Sequence, residues 1–405
     1  MSVSDRVIIA GAGPVGSITA LALVQKGIPV LQLEALAETP TAHRAATTHS
    51  STLDLLDGIG MSAAVIEQGL KARHFQYRYR ETNEVFAEFD FQRLEGETNH
   101  PYAVQLEQHK TVAIAQNMLK AFSHFELKRE HNIVALENGT DQVRVTSETP
   151  DGAKHDFTAR YIIGCDGGRS FVRKSQGIDF PGFTWEERFI IVASLFDYEK
   201  ADKYRYRNYI ADPDQWCSVF KIPGPDGKGM WRNLFPVIGN DPEEVVTSEA
   251  WIRARLDYCF PYARDTEIIH RNLYTVHQRV AAAFRKGRAL LAGDSAHINN
   301  PLGGMGMNSG IADGLNLAEK LVKVWRGEAD DSIFDVYDRQ RRPLAQKYVQ
   351  AQSIQNKETL QAADKAKANA RFEELRKTAD DPKRHKAFLM NSSLINMARE
   401  AAAIT

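Results

Sequence analysis

Three glycines near the N-terminus have the spacing of a phosphate-binding turn. Gly11, Gly13 and Gly16 form the pattern G-x-G-x-x-G, and Glu34 follows at the end of the next predicted strand. The first glycine allows a tight turn, the second lets a pyrophosphate approach the backbone, and the third lets a helix pack closely against a strand. The helix N-terminus attracts phosphate, and an acidic side chain accepts hydrogen bonds from a ribose. The pattern predicts a dinucleotide site without distinguishing NAD from FAD.

The segments around these glycines are predicted to form a βαβ unit. Residues 6–10 read as a short apolar strand, residues 14–26 as a helix, and residues 29–33 as a second strand. The same apolar stretch is a candidate signal peptide, but a secretory segment has no need of three glycines at fixed spacing. A buried strand followed by a phosphate-binding turn does need them, so we favour the nucleotide-binding interpretation.

The composition is that of an ordinary soluble protein large enough for two domains. The chain has 405 residues, 43% of them hydrophobic, and 51 basic residues balance 52 acidic ones to a net charge of −1. This balance favours a small-molecule partner over nucleic acid or a membrane surface. The three cysteines form no CxxC pair, which argues against a disulfide framework and a metal site and favours a cytoplasmic setting.

Two further turns that contain glycine and aspartate follow predicted strands. The first holds Asp166 in the segment CDGGRS at residues 165–170. The second holds Asp294 in the segment GDSAH at residues 293–297, and it leads through Pro301 and several glycines into an amphipathic helix. Together with the N-terminal glycines, these segments resemble the motifs of the flavoprotein aromatic hydroxylases, and the resemblance extends over residues 6–325.

The resemblance implies a tightly but non-covalently bound FAD. Asp166 matches the family's DG motif, which lies near FAD and the nicotinamide nucleotide, and Asp294 matches the GD motif, whose aspartate meets the flavin ribityl chain. Arg44 in the segment HRAA at residues 43–46 and Gln105 in the segment VQLE at residues 104–107 match positions that contact FAD. The cofactor-binding residues predicted are Gly11, Gly13, Gly16, Glu34, Arg44, Gln105, Asp166, Asp294, Gly304, Gly306, Met307 and Asn308.

Physical chemistry supports these roles near the flavin. A carboxylate at Asp294 accepts hydrogen bonds from ribityl hydroxyls, and Gly304 and Gly306 let backbone amides approach the isoalloxazine edge because no Cβ obstructs them. Backbone N–H groups near Met307 and Asn308, at the start of the following helix, would stabilise negative charge on the reduced flavin.

The resemblance also implies a fold and a domain organisation. The fold class predicted is α/β, with a Rossmann-like FAD-binding domain of the GR2 type found in 4-hydroxybenzoate hydroxylase, an inserted β-rich substrate domain and a helical C-terminus. The FAD-binding domain is predicted over residues 1–74, 100–181 and 270–328. The substrate domain is predicted over residues 75–99 and 182–269, where aromatic-rich strands dominate, and the helical region over residues 329–405. A homodimer formed with the help of this helical region is a further expectation.

The reaction implied is hydroxylation of a small phenolic or N-heteroaromatic compound that carries an acidic group. In the family, NAD(P)H serves as a transient co-substrate that reduces FAD, O2 is captured as a flavin C4a-hydroperoxide, and one oxygen passes to the aromatic ring. The protein must then supply a dry pocket and a group that raises the nucleophilicity of the ring.

Candidate substrate and catalytic residues lie in the aromatic-rich strands and in the glycine-rich loop. Tyr209, by its spacing to Pro213, aligns with a tyrosine that contacts the substrate phenol in 4-hydroxybenzoate hydroxylases, and Pro301 matches a position whose carbonyl lies beside the flavin. Ile222 stands where those enzymes hold the substrate carboxylate with arginine, which argues against 4-hydroxybenzoate itself. The catalytic residues predicted are Tyr209 and Pro301, and the additional substrate residues are Phe220, Arg232 and Phe235.

Alternatives on the same scaffold remain open at this stage. An oxidase or a halogenase shares the cofactor motifs, although the WxWxIP motif of tryptophan halogenases is absent. A Baeyer–Villiger enzyme would carry a second full G-x-G-x-x-G, which is also absent. A non-catalytic module that binds flavin or NAD is the alternative from a different class, and it predicts bound flavin without turnover.

Overall fold

The computed structural model describes residues 5–42, 44–212, 215–351, 354, 360 and 365–405. His43 and Pro213, which belong to two of the motifs above, lie outside the described residues. The strands are β1 (Val7–Ala10), β2 (Val30–Leu33), β3 (Thr47–Thr48), β4 (Leu70–Ala72), β5 (His74–Tyr79), β6 (Val85–Asp90), β7 (Ala103–Gln105), β8 (Phe125–Lys128), β9 (Asn132–Asn138), β10 (Val143–Glu148), β11 (Lys154–Ala159), β12 (Tyr161–Gly164), β13 (Gly182–Ser194), β14 (Arg207–Ala211), β15 (Cys217–Ile222), β16 (Met230–Val237), β17 (Ile268–Val280), β18 (Arg285–Lys286), β19 (Ala289–Leu291) and β20 (His297–Ile298).

The helices follow the amphipathic segments of the sequence. They are α1 (Pro14–Val24), α2 (Ser50–Asp57), α3 (Ser62–Gln68), α4 (Gln108–Leu119), α5 (Phe171–Ser175), α6 (Tyr198–Asp202), α7 (Glu243–Val246), α8 (Glu249–Cys259), α9 (Met305–Trp325), α10 (Ile333–Leu344), which continues as a π-helical turn over Ala345–Gln350, α11 (Lys365–Asp380), α12 (Pro382–Ser392) and α13 (Ile395–Ala403). No described helix is long and apolar enough to cross a membrane.

A parallel sheet carries the N-terminal fingerprint, as the βαβ pattern predicts. Its strand order is β18-β19-β12-β1-β2-β8, and β1 pairs in parallel with both β2 and β12. All four residues of β1 are buried, which explains their unbroken apolar run, because strands in such sheets are covered on both faces. The carboxyl ends of β1, β12 and β19 therefore bring the glycine turn, the Asp166 turn and the Asp294 loop to one edge of the sheet.

A larger mixed sheet forms the aromatic-rich part of the molecule. Its strand order is β20-β17-β13-β16-β15-β14-β5-β6, so two strands from residues 74–90 join those from residues 182–280. These are the two segments grouped in the predicted substrate domain, and that domain assignment stays a prediction. The predicted boundary between residues 269 and 270, however, falls inside β17, which pairs with β13 along most of its length. Val276 packs in the aromatic cluster of the mixed sheet and Val280 packs in the core around the parallel sheet, so β17 extends from one part of the molecule into the other.

Helix α9 packs beside the parallel sheet. It packs against α1 at Gly310 and Gly314, where an added Cβ would lie 2.8 Å from Val15 and 2.0 Å from Thr19. The C-terminal helices pack elsewhere, on the aromatic strands β5 and β6. Phe388 stacks on Phe89 at 4.3 Å between ring centroids. The charged C-terminal segment therefore covers one end of the mixed sheet and also presents a solvated face.

Candidate active site

A cavity of about 910 Å³ lies between the carboxyl edge of the parallel sheet and one face of the mixed sheet. Its cofactor-side wall contains the glycine turn, Glu34, Arg44 and the Asp294 loop, and its far wall contains residues of β13, β15, β16 and β17. The lining includes consecutive residues of β16 and β17, so backbone as well as side chains of the mixed sheet borders the cavity. Most sequence-predicted site residues are thus brought to one cavity.

The three fingerprint glycines meet different requirements. Gly11 has φ +95°, and an added Cβ would lie 2.4 Å from the Cys165 carbonyl oxygen. At Gly16 an added Cβ would lie 2.2 Å from the Gly11 carbonyl oxygen. At Gly13 an added Cβ would meet no atom within 4 Å, and this position lines the cavity. Glycine is therefore required at positions 11 and 16 because a side chain there would clash with the backbone of the protein itself. At position 13 the absence of a side chain instead leaves space for a ligand.

Glu34 and Arg44 line the cavity where the resemblance places the adenosine and pyrophosphate of FAD. The Glu34 carboxylate accepts hydrogen bonds from the backbone N–H groups of Ala12 at 2.7 Å and Leu36 at 3.0 Å. These contacts hold Glu34 at the end of β2, next to the glycine turn. The arrangement agrees with ribose recognition, because a carboxylate has acceptor positions beyond the two occupied here.

Asp166 also lines the cavity, but its carboxylate is engaged by the protein. It accepts hydrogen bonds from the Ser170 hydroxyl at 2.5 Å and from the Val172 N–H at 3.0 Å, which fix the start of α5. Burial raises the pKa of this carboxyl despite these hydrogen bonds. Asp166 thus shapes the turn, and its direct contact with cofactor stays a prediction.

The loop after β19 presents Asp294 to the cavity and is held from behind by a buried ionic network. Burial raises the pKa of Asp294, although the nearby charges of His297 and Arg44 oppose the shift. Behind it, Asp313 accepts a hydrogen bond from Arg341 at 2.7 Å and contacts His297 at 2.8 Å. Burial acts to raise the pKa of Asp313, but the charges of Arg341 and His297 outweigh it and the pKa is lowered.

The side chain of Asn308 has a structural role, and the predicted contact of the nearby backbone N–H groups with the flavin stays a prediction. It is fully buried and does not line the cavity, because its amide is used inside the protein. Its Oδ1 accepts from the His49 backbone N–H at 2.8 Å, and its Nδ2 donates to the carbonyls of Thr47 and Gly304. The side chain therefore joins β3 to the start of α9, and only the backbone N–H of Asn308 is left for a ligand.

The neighbouring residues of this loop do line the cavity. Gly304 has φ +70°, which favours glycine, and an added Cβ would lie 3.2 Å from Thr47. Gly306 and Met307 follow in the first turn of α9, where backbone N–H groups lack helical partners. Pro301 also lies on the cavity wall. This arrangement agrees with a flavin-facing helix N-terminus.

Gln105 lies behind the cavity wall rather than on it, and its side-chain amide is one indication that the site fits FAD. It is completely buried on β7, next to Thr47 of the cavity wall. Its Oε1 accepts a hydrogen bond from the Thr47 hydroxyl at 3.0 Å, whereas its Nε2 is buried with no partner among the described residues. A buried amide donor without an acceptor is costly. This donor, the open space at Gly13 and the carboxylates of Glu34 and Asp294 suit a flavin dinucleotide.

On the opposite wall, β15 and β16 present Phe220 and Arg232 to the cavity, as predicted. Arg232 donates from Nη2 to the Arg44 carbonyl at 2.6 Å, and its Nε is buried without a partner. Burial lowers the pKa of Arg232 to about 10, against the opposing effect of Tyr274 and Glu107. The Tyr274 hydroxyl also lacks a partner, and burial raises its pKa. The sequence analysis did not identify Tyr274.

Phe235 is a correction to the predicted substrate set. It lies on the opposite face of β16 and packs in the outer core of the sheet with Val192, Val219 and Trp231. It does not line the cavity. The predicted substrate set took aromatic residues of β15 and β16 together without assigning them to strand faces. Residues 232 and 235 are an odd number of positions apart, so their side chains lie on opposite faces of β16.

Tyr209 lies beside the substrate wall rather than on it. It is buried, does not line the cavity, and stacks on Tyr77 at 5.0 Å between ring centroids. Its hydroxyl accepts from Arg207 Nη2 at 3.4 Å. A direct contact of Tyr209 with substrate stays a prediction.

Comparison with known proteins agrees with this site. Residues 5–352 match a family model described as an FAD binding domain. The chain is similar to para-nitrophenol 4-monooxygenase of Pseudomonas sp. strain WBC-3, with 31% identity over 90% of both proteins. It is also similar to 6-hydroxy-3-succinoylpyridine 3-monooxygenase of Pseudomonas putida S16, with 34% identity over 84% of this chain and 85% of the relative.

The solved structures show the same likeness. The p-nitrophenol 4-monooxygenase of Pseudomonas putida DLL-E4 superimposes with a TM-score of 0.92 at 28% identity, covering 98% of this chain and 99% of that one. A complex of aklavinone-11 hydroxylase with FAD and aklavinone has a TM-score of 0.77 at 23% identity and covers 89% of this chain and 70% of that one. At this level of identity the likeness supports a shared fold only. The chain therefore belongs to the FAD-binding family of aromatic hydroxylases, and it is an FAD-dependent monooxygenase.

Proposed function

We propose that this protein hydroxylates a phenol or hydroxypyridine at the ring carbon that lies para to the hydroxyl and already carries a substituent. By their names, relatives oxidise carbon 4 of para-nitrophenol, carbon 3 of 6-hydroxy-3-succinoylpyridine and carbon 4 of pentachlorophenol. In each compound that carbon is para to the hydroxyl and bears a substituent. Such a reaction displaces the substituent, which distinguishes it from simple ring hydroxylation.

The observation that carries this proposal is the pair of unpaired polar groups on the substrate wall. Arg232 Nε and the Tyr274 hydroxyl are buried donors without partners, and both residues line the cavity. A nitro, acyl or carboxylate group offers the acceptors that they lack, and charge-assisted hydrogen bonds are the stronger kind. The aromatic ring would then lie against Phe220 and Leu234, which line the same wall.

The remaining residues of the cavity would position the ring and exclude water. When bound, FAD reduced by NAD(P)H would supply the activated oxygen for the reaction. Pro301 stiffens the loop at the cavity wall, and the apolar residues Ile191, Leu234 and Val276 keep the substrate side dry. The oxygen-transfer route that the family resemblance implies stays a prediction.

A substrate panel tests the proposal. Purified protein with FAD would be given NADH or NADPH and para-substituted phenols and hydroxypyridines, with unsubstituted phenol as the matched control. We expect a quinone or hydroquinone product and release of the substituent, for example nitrite from 4-nitrophenol, in proportion to NAD(P)H oxidised. Hydrogen peroxide as the sole oxygen product with every compound would instead support the oxidase alternative.

A further inference from the structure

Two arginines lie on one rung of the mixed sheet, on either side of Phe220. The strand register pairs Arg207 of β14 with Phe220 of β15, and Phe220 with Arg232 of β16. Residues on one rung project from the same face, and adjacent strands are about 4.8 Å apart, so the two backbone positions are about 10 Å apart. Arg232 lines the cavity, whereas Arg207 lies beyond Phe220 at the far end of the rung.

Arg207 is buried without a carboxylate partner among the described residues. It is 4% exposed, and its Nε has no hydrogen-bond partner. Its Nη2 donates only a long hydrogen bond to Tyr209, and its guanidinium lies over the rings of Phe75 at 5.2 Å and Phe220 at 5.8 Å. A buried cation without a counter-charge is costly, so a ligand acceptor at this position would satisfy it.

His49 provides the complementary group. It is 1% exposed, and its Nε2 lies 2.7 Å from the Gly303 carbonyl oxygen, which accepts a hydrogen bond. The ring proton is therefore assigned to Nε2, and Nδ1 is a buried acceptor that has no partner. Burial, followed by the charge of Arg207, lowers the pKa of His49 to about 3, which keeps the ring neutral at physiological pH.

We propose that Arg207 and His49 form the binding site for the substrate hydroxyl, an inference that rests on the proposed function. Arg207 Nε offers an unpaired donor and His49 Nδ1 an unpaired acceptor, and a hydroxyl group is both an acceptor and a donor. His49 Nδ1 accepts from the neutral hydroxyl and so opposes its ionisation, whereas the charge of the guanidinium favours the ionised phenol. We expect the charge to prevail, so the pKa of the bound phenol falls and the proton lost on ionisation is released to solution. The phenolate has the higher electron density at the para carbon.

The position of the pair relative to the cavity agrees with this role. Phe220 and Gly304 line the cavity, and each also contacts one member of the pair: the Phe220 ring lies against Arg207, and the Cβ direction of Gly304 points to within 3.5 Å of His49 Nε2. Neither Arg207 nor His49 lines the cavity, so the pair lies one side chain behind its wall, and the proposal requires the Phe220 ring to move aside when substrate binds. In a substrate ring with a hydroxyl and a para acceptor group, the hydroxyl would meet Arg207 at one end of the rung and the acceptor group would meet Arg232 at the other.

Substitution of Arg207 tests the proposal. 4-Nitrophenol would be titrated into the FAD-loaded protein, with its dissociation constant measured from flavin absorbance and the pKa of the bound phenol from phenolate absorbance across pH. Arg207→Gln should raise the dissociation constant about 10- to 100-fold and raise the pKa of the bound phenol by about one unit or more. Arg207→Lys keeps the charge and should largely preserve the lowered pKa of the bound phenol.

Arg205→Gln is the matched control, because Arg205 is exposed and paired with Glu88 at 2.9 Å. FAD content and thermal stability of each variant show whether it folds. If Arg207→Gln binds and ionises 4-nitrophenol as the parent protein does, the proposed hydroxyl site is wrong. If the parent protein neither binds nor hydroxylates any para-substituted phenol, the proposed function itself is wrong.

Discussion

The two walls of the cavity are built in different ways. The cofactor wall relies on backbone at strand ends, and its carboxylates Glu34 and Asp166 already have protein partners that hold them in place. The substrate wall relies on side chains of a sheet, and its polar atoms on Arg232 and Tyr274 are buried without partners. The comparison indicates that the cofactor wall is preorganised by the chain itself, whereas the substrate wall is completed by what it binds.

Two glycine substitutions on the cofactor wall are expected to have the largest effects on FAD binding and on the free energy of unfolding. Gly16→Ala places a Cβ 2.2 Å from a backbone oxygen, and we expect loss of bound FAD and of at least about 3 kcal/mol of unfolding free energy. Gly13→Ala meets no protein atom within 4 Å, so it should preserve the fold and weaken FAD binding alone. Thermal unfolding and flavin content would separate the two effects; equal stability losses in both variants would contradict the assignment.

The buried network behind the Asp294 loop should give the next largest effect. Asp313→Asn leaves Arg341 without its charge partner, and breaking a buried ion pair costs about 3–5 kcal/mol. The pKa of Asp313 is lowered from its ordinary value of 3.8, so its stabilising contribution is present above that value and is lost as the pH falls through the lower folded-state pKa. Urea unfolding at neutral and acidic pH should show the variant's deficit shrinking with acid. A deficit that is independent of pH would exclude this explanation.

Arg232→Gln tests the substrate wall directly. Removal of a charged hydrogen-bond donor to the para substituent should raise KM about 10- to 100-fold. FAD content must be measured alongside, because Arg232 also donates to the Arg44 carbonyl on the cofactor wall. Steady-state kinetics with 4-nitrophenol and with phenol would measure the effect, and phenol, which lacks the acceptor group, should be affected least. An equal rise in KM for both compounds would argue against contact with the substituent.

The smallest effects should separate the two faces of the mixed sheet. Phe220→Leu changes the cavity wall and should alter KM several-fold. Phe235→Leu lies on the opposite face and should cost about 1–2 kcal/mol of unfolding free energy while leaving KM unchanged. Kinetics and denaturant unfolding of this pair would check the assignment of faces. A change of KM in the Phe235 variant would indicate that Phe235 contacts the substrate after all.

Much of the cofactor wall could be predicted from the sequence because its determinants are local. Gly11, Gly13, Gly16 and Glu34 lie in one βαβ unit, in which a turn, a helix start and a strand end follow each other along the chain. Asp294 lies in a motif of the same local kind. The side chain of Asn308 shows the limit of this reasoning. Its amide forms hydrogen bonds with the backbone of His49 and Thr47, which lie more than 250 positions away in sequence.

The sequence by itself determined the fold class, the family and the dinucleotide fingerprint, since these depend on patterns within short segments. The tertiary structure alone decided that Phe235 faces away from the cavity, that Tyr209 lies behind its wall, and that Arg207 is buried against the Phe220 ring. These facts depend on strand register and on contacts between distant segments. A periodic pattern reveals that a strand has two faces, but only the packing of the whole sheet determines which face meets the ligand.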